Sequence, residues 1–151
     1  MQPPIQDQFA KVLAEFQNED GTQNVEGLHA VPRGNGLYEL RNIPLFASGY
    51  HLYDIVRCQE FDDKDVCPTI IELVTPSGHQ TLGIIFADKT TGEEQADVLV
   101  DIHERFHNLV YARVTKTHCA FSFPSSDREE ISRILADYVE HELISSYEEL
   151  L

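Results

Sequence analysis

An α+β fold is predicted: a mixed, mainly antiparallel β-sheet with an N-terminal helix and two helices in a C-terminal β-α-β-α half. Three observations predict it. Apolar residues recur at helical spacing in three places, at strand spacing between them, and an Asn-Gly turn joins two of the strands. The 151 residues fit one domain of ordinary size, and 42% hydrophobic content supplies a core.

Each element follows in order. Ile5, Phe9, Val12, Leu13 and Phe16 are spaced as a helix over 4–17, begun by Pro3-Pro4 and ended by Asn18-Glu19-Asp20-Gly21. This helix and a connector to residue 24 are expected to precede a single α+β domain at 25–151. Residues 25–32 and 37–42 read as strands about Arg33-Gly34-Asn35-Gly36, because Asn and Gly accept positive φ. An apolar bend at 43–50 contains Pro44, which cannot donate to a ladder. A strand over 51–61 leads to the turn Asp62-Asp63-Lys64-Asp65. Residues 68–75 and 80–87 read as a pair around Pro76-Ser77-Gly78-His79.

The second half begins with a helix over 92–108, with Val98, Leu99, Ile102 and Phe106 on its apolar face. Residues 109–123 are β-rich, but their apolar parity changes, so a bulge or tight turn is expected near Lys116-Thr117-His118. Ser126 and Glu129 have capping-box spacing and predict a last helix over 126–141. The order β, α, β, α suggests helices on one face of the sheet and a split β-α-β arrangement.

Charge narrows the function. Eleven basic against 26 acidic residues give a net charge of −15, which repels phosphate backbones and anionic membranes and attracts basic proteins. No apolar run is long enough to span a bilayer, and the N-terminus predicts no export signal. Cys58, Cys67 and Cys119 are odd in number and widely spaced, which suits a reducing cytoplasm better than disulfides.

The acids concentrate in segments 54–72, 88–104 and 126–151. Partner contacts are therefore expected at Asp54, Glu60, Asp62, Asp63, Asp65, Asp97, Asp101, Glu104, Glu140, Glu148 and Glu149. Tyr50, Tyr53 and Tyr147 are expected as aromatic anchors. No cofactor and no catalytic group are expected.

One motif offers different chemistry. His103-Glu104-Arg105-Phe106-His107 matches H-E-x-x-H, which on a helix puts two imidazoles one turn apart and can make a zinc hydrolase, with Glu129 as third ligand. Against it, His103 and His107 fall on the flank of the apolar face, where histidines commonly pack and hydrogen-bond. Asp62-Asp63-Lys64-Asp65 lacks the glycine and terminal glutamate of a calcium loop. Gly34-x-Gly36 opens no helix, and so is no phosphate loop.

Val25-Glu26-Gly27-Leu28-His29-Ala30, the run from Asn42-Ile43-Pro44 to Gly49, and Tyr53-Asp54-Ile55-Val56 resemble the bacterial family catalogued as domain of unknown function 4265. Phe123-Pro124 and Ser146-Tyr147-Glu148-Glu149 also fit its end, so the resemblance covers roughly 25–151. His103 and His107 match nothing in it. The resemblance implies a small cytosolic protein without a catalytic centre, and a possible role as the immunity partner of a secreted toxin with a basic cleft. A zinc hydrolase and a regulatory interaction domain without a toxin stand as alternatives.

Overall fold

A computed structural model describes residues 8–150 and contains nine strands and two helices among them. The chain divides into two compact units, residues 1–77 and 78–151. The fold is α+β, but the strands form two separate sheets.

The first unit is a closed barrel of β1 (Ala10–Gln17), β2 (Gln23–Gly34), β3 (Leu37–Leu40), β4 (Ile55–Gln59) and β5 (Thr69–Thr75). Four successive antiparallel pairings leave β1 and β5 running the same way, so an odd-numbered meander must close in parallel. It does so at Leu13 and Thr69, where Leu13 N–H donates to the Pro68 carbonyl at 2.9 Å. Inward residues include Val12, Ala14, Leu28, Ala30, Leu40 and Val56.

β1 corrects the expected N-terminal helix. Residues 10–17 are a strand, and the first helix begins only at Gly92; residues 1–7, the start of the expected helix, lie outside the described residues. Val12, Ala14 and Phe16 alternate inward with Lys11 and Glu15 outward, a period of two that the helical spacing of Val12, Leu13 and Phe16 masked. Pairing with β2 along its whole length settles the competition in favour of the strand. Asn18–Gly21 accordingly turns a hairpin: Gly21 N–H donates to the Asn18 carbonyl, and Asp20 accepts from the Thr22 amide and hydroxyl. The Asn-Gly turn is as expected, with positive φ at both Asn35 and Gly36.

The expected hairpin about residues 76–79 is not formed. β5 pairs with β4 and β1, whereas the next strand, β6 (His79–Phe86), pairs in the second unit. Ser77 instead anchors back into the first unit: its amide reaches Asp54 and its hydroxyl reaches the Leu52 carbonyl at 2.7 Å.

The second unit runs β6, α1 (Gly92–Arg105), β7 (Val110–Arg113), β8 (His118–Pro124), α2 (Arg128–Glu140) and β9 (Ile144–Glu149). Its antiparallel sheet has the order β7-β8-β6-β9, the doubled form of the split β-α-β arrangement. β9 was not anticipated: Ile144 is its single buried residue, so the strand carries almost no apolar alternation. The parity change within 109–123 resolves as two strands joined by a turn at 114–117.

The helix ends differ from expectation. No side chain caps α2, and one 3-10 turn at Ser125–Asp127 leads into it, so Ser126 and Glu129 form no capping box. The box occurs on α1, where Thr91 Oγ1 accepts from the Glu94 amide at 3.1 Å and the Glu94 carboxylate accepts from the Thr91 amide at 3.0 Å. Leu82, Ile84 and Phe86 of β6, with Cys119, Phe121 and Phe123 of β8, share a core with Val98, Leu99 and Ile102 of α1 and Ile131 and Leu135 of α2. Both helices therefore cover the same sheet face. No helix among the described residues is long and apolar enough to cross a membrane.

Candidate protein-binding surface

The helix layer of the second unit follows from the sheet beneath it. Each helix turns its apolar stripe to the core, so its polar residues must face away. Those residues are mostly acidic. Glu93 and Glu94 on α1, and Glu129 and Glu130 on α2, stand in first turns, where carboxylates offset the positive helix end. Asp97, Glu104, Asp137 and Glu140 have no such role. All four are exposed, and among the described residues none has an ion-pair or hydrogen-bond partner for its carboxylate.

Asp101 is different. It lies in a groove of about 360 Å³ lined by Arg105, Ile134, Asp137, Tyr138, His141 and Leu143. The Tyr138 hydroxyl donates to it, tying α2 to α1, and Arg105 Nε donates at 3.0 Å. Those two interactions, the tyrosine first, hold the Asp101 carboxyl below its ordinary value. Burial first, then the hydrogen bond to Asp101 and the charge of that carboxylate, pushes the Tyr138 phenol up to about 12.

Segments 88–104 and 127–149 are thus gathered in the second unit, whereas 54–65 belongs to the first. Asp62, Asp63 and Asp65 stand exposed on their turn, which Asp63 shapes by accepting the Asp65 amide at 2.9 Å. Glu60 accepts the Tyr38 hydroxyl at 2.6 Å. Glu148 is exposed, and Glu149 pairs with Arg128.

Asp54 does not fit its expected role as a partner contact. It is 1% exposed. Its carboxylate accepts the His51 amide at 2.8 Å and the Ser77 amide at 2.7 Å, closing a turn in which Tyr53 has φ +71°. Of the three expected aromatic anchors, only Tyr53 is exposed; the Arg41 guanidinium lies 5.9 Å from its ring centre. Tyr50 packs against the barrel core, and the half-buried Tyr147 donates to the Ser132 carbonyl at 3.3 Å.

The H-E-x-x-H residues are not assembled as a ligand set. α1 ends at Arg105 and Phe106 is extended (φ −126°, ψ 92°), so His107 falls outside the helix and loses the one-turn relation to His103. His103 instead sets its ring edge-on to Tyr111, with centroids 6.4 Å apart. Among the described residues, no three His, Cys, Asp or Glu side chains are placed to share a metal ion.

Sequence reasoning missed Glu26. Its two carboxylate oxygens accept three consecutive amides, Leu45 at 2.8 Å and Phe46 and Ala47 at 3.0 Å each. Successive amides turned to one side form an anion cradle, which fixes the 43–50 bend and holds Phe46 out, stacked on Phe16 at 5.7 Å. Nothing in the spacing of Glu26 and Leu45 signals this, because the cradle exists only once the bend has formed.

The thiols are free, as expected. Burial, with a smaller contribution from Glu60, pushes Cys58 up to about 12, and burial also raises Cys119. Cys67 is only half-buried. Native protein is therefore expected to react with a maleimide at Cys67 alone, and at all three thiols once unfolded, as read by mass spectrometry.

Comparison with known proteins agrees with this architecture. A hypothetical protein from Neisseria gonorrhoeae, solved as a crystal structure, superposes with a TM-score of 0.73. The two are 24% identical, with 95% of this chain and 94% of that one covered, a likeness of fold. No curated protein matches. The model of the family described as "Domain of unknown function (DUF4265)" matches residues 26–146, and the chain belongs to that family.

Proposed function

We propose that this chain is a non-catalytic immunity protein that binds a basic bacterial toxin domain in the cytoplasm and occludes its active site. The observation that carries the reading is the set of exposed, unpartnered carboxylates of Asp97, Glu104, Asp137 and Glu140 on the helix layer. Four charges without internal partners add self-repulsion to a chain already at −15, and so contribute nothing evident to folding. A basic cleft shaped for phosphate meets in them the charges it evolved to hold.

Capture from the native host tests this. The wild-type chain is expected to retain a basic protein and to suppress its activity stoichiometrically. A variant with Asp97→Asn, Glu104→Gln, Asp137→Asn and Glu140→Gln is expected to bind that protein roughly tenfold or more weakly. Equal retention by the variant contradicts the helix-layer assignment. A captured protein whose activity is untouched contradicts the immunity role and favours a regulatory interaction domain.

A further inference from the structure

We propose that two copies of this chain associate through β7, pairing it antiparallel with itself about a two-fold axis at Ala112. β7 is one edge of the second sheet and, among the described residues, pairs only with β8. The Val114 amide donates to the His118 carbonyl, and in an antiparallel ladder such bonds recur at every second residue. Val110, Ala112 and Val114 therefore direct their backbone groups to β8, while those of Tyr111 and Arg113 point to the free edge.

Edge strands of this kind are usually guarded by proline, an inward charge or a covering segment. β7, Val-Tyr-Ala-Arg, has no proline, and its one charge, Arg113, is taken up by Gln95; the strand exposes apolar surface: Val110 is 37% exposed, Tyr111 43% and the following Val114 42%.

Symmetry and charge both fit a second copy of this chain at the edge. Antiparallel pairing about Ala112 sets Tyr111 opposite Arg113 of the second copy and Val110 opposite Val114, each twice. The Tyr111 and Arg113 pairs exchange four backbone hydrogen bonds across the axis. Tyr111 and Arg113 lie on the helix side of the sheet, where Tyr111 meets His103 and Arg113 Nη1 donates to Gln95 Oε1 at 2.9 Å. A guanidinium beside a phenol ring across strands is a favourable pair. On the other side, the two valine pairs bury the exposed methyl groups. Ala112 faces itself at the closest-approaching type of position, where a small side chain fits.

Charge permits this approach where most of the surface forbids it. Two chains of −15 repel, yet positions 105–126 contain no Asp or Glu, the longest such run in the sequence, and β7 lies inside it. A closed two-fold contact of this kind yields a dimer and no larger array.

Sedimentation and amide exchange test the pairing on the intact chain. The wild-type mass is expected to rise with concentration from 17.2 kDa to twice that value, and further at high salt, because screening relieves like-charge repulsion. With dimerisation, the Tyr111 and Arg113 amides should slow in exchange, while the Ala112 amide, already bonded to β8, should not change. Ala112→Glu sets two carboxylates face to face and is expected to leave a monomer, as is Ala112→Lys; mixing the two in equal amounts should restore the dimer. Val114→Lys, at an exposed position beyond the strand, should weaken association without requiring any change within the ladder. A wild type of single-chain mass at every concentration overturns the proposal. So does a dimer that Ala112→Glu and Val114→Lys both leave intact, or one whose Tyr111 and Arg113 amides exchange as in the monomer.

Discussion

Replacing Asp54 by alanine is expected to lower the unfolding free energy of the first unit by about 3–5 kcal/mol, since two charge-assisted hydrogen bonds are lost and their donors are left unpaired. Four contacts depend on that carboxylate position. The His51 and Ser77 amides reach the side chain directly, the Asp54 carbonyl accepts the Leu40 amide at 2.9 Å, and the Leu40 carbonyl accepts the Tyr53 amide at 2.9 Å. Together they impose φ +71° on Tyr53, a conformation a tyrosine adopts only when its surroundings fix it. Asp54→Asn separates charge from shape. Its amide presents one acceptor and one donor to two N–H groups, so it should restore no more than about half of the loss. The check is denaturant unfolding of each variant. A change below about 1 kcal/mol for alanine would show that the turn holds without the carboxylate.

Glu26→Ala is expected to be the next most damaging single change, at about 2–3 kcal/mol, because three amides lose one shared acceptor while solvent reaches part of the site. The 43–50 bend should loosen with it, freeing Phe46 from its stack on Phe16. Thermal unfolding should fall by roughly 5–10 °C, and amide exchange at Leu45, Phe46 and Ala47 should accelerate. Glu26→Gln keeps one oxygen for three donors and should lie between. Unchanged exchange at those three amides in Glu26→Ala would contradict the cradle.

Legibility in the sequence followed the strength of local signals. The Asn35-Gly36 turn, α1, α2 and the paired strands β2 and β3 could be read because each carries a periodicity or a turn residue that no neighbour contradicts. β1 was misread because Val12, Leu13 and Phe16 satisfy both periods, and the decision lies with β2, many residues away. β9 was invisible because an edge strand beside one neighbour needs little apolar surface. The separation of β5 from β6 rests on Ser77 being claimed by Asp54 and Leu52, which short-range turn chemistry cannot reveal.

The candidate surface divided in the same way. Exposure of Asp97, Glu104 and Glu140 follows from the helical stripe and could be read in advance. Asp54 looked identical to them in the sequence, one more acid in an acidic segment, yet it is buried and accepts the His51 and Ser77 amides. A carboxylate's role depends on whether amides converge on it, and convergence is a property of the folded chain. H-E-x-x-H failed as a structural unit for a similar reason: the pattern presumes an unbroken helix, and Phe106 leaves it.

The central claim is that the helix-layer carboxylates draw in a basic partner without supporting the fold. Its most direct test is the association rate of the captured partner as a function of ionic strength, for wild type and for the four-site variant. The rate for wild type should fall steeply with added salt, and the variant should associate slowly at all salt concentrations while unfolding at the wild-type temperature. A wild-type rate indifferent to salt, or a variant as fast as wild type, would contradict the claim.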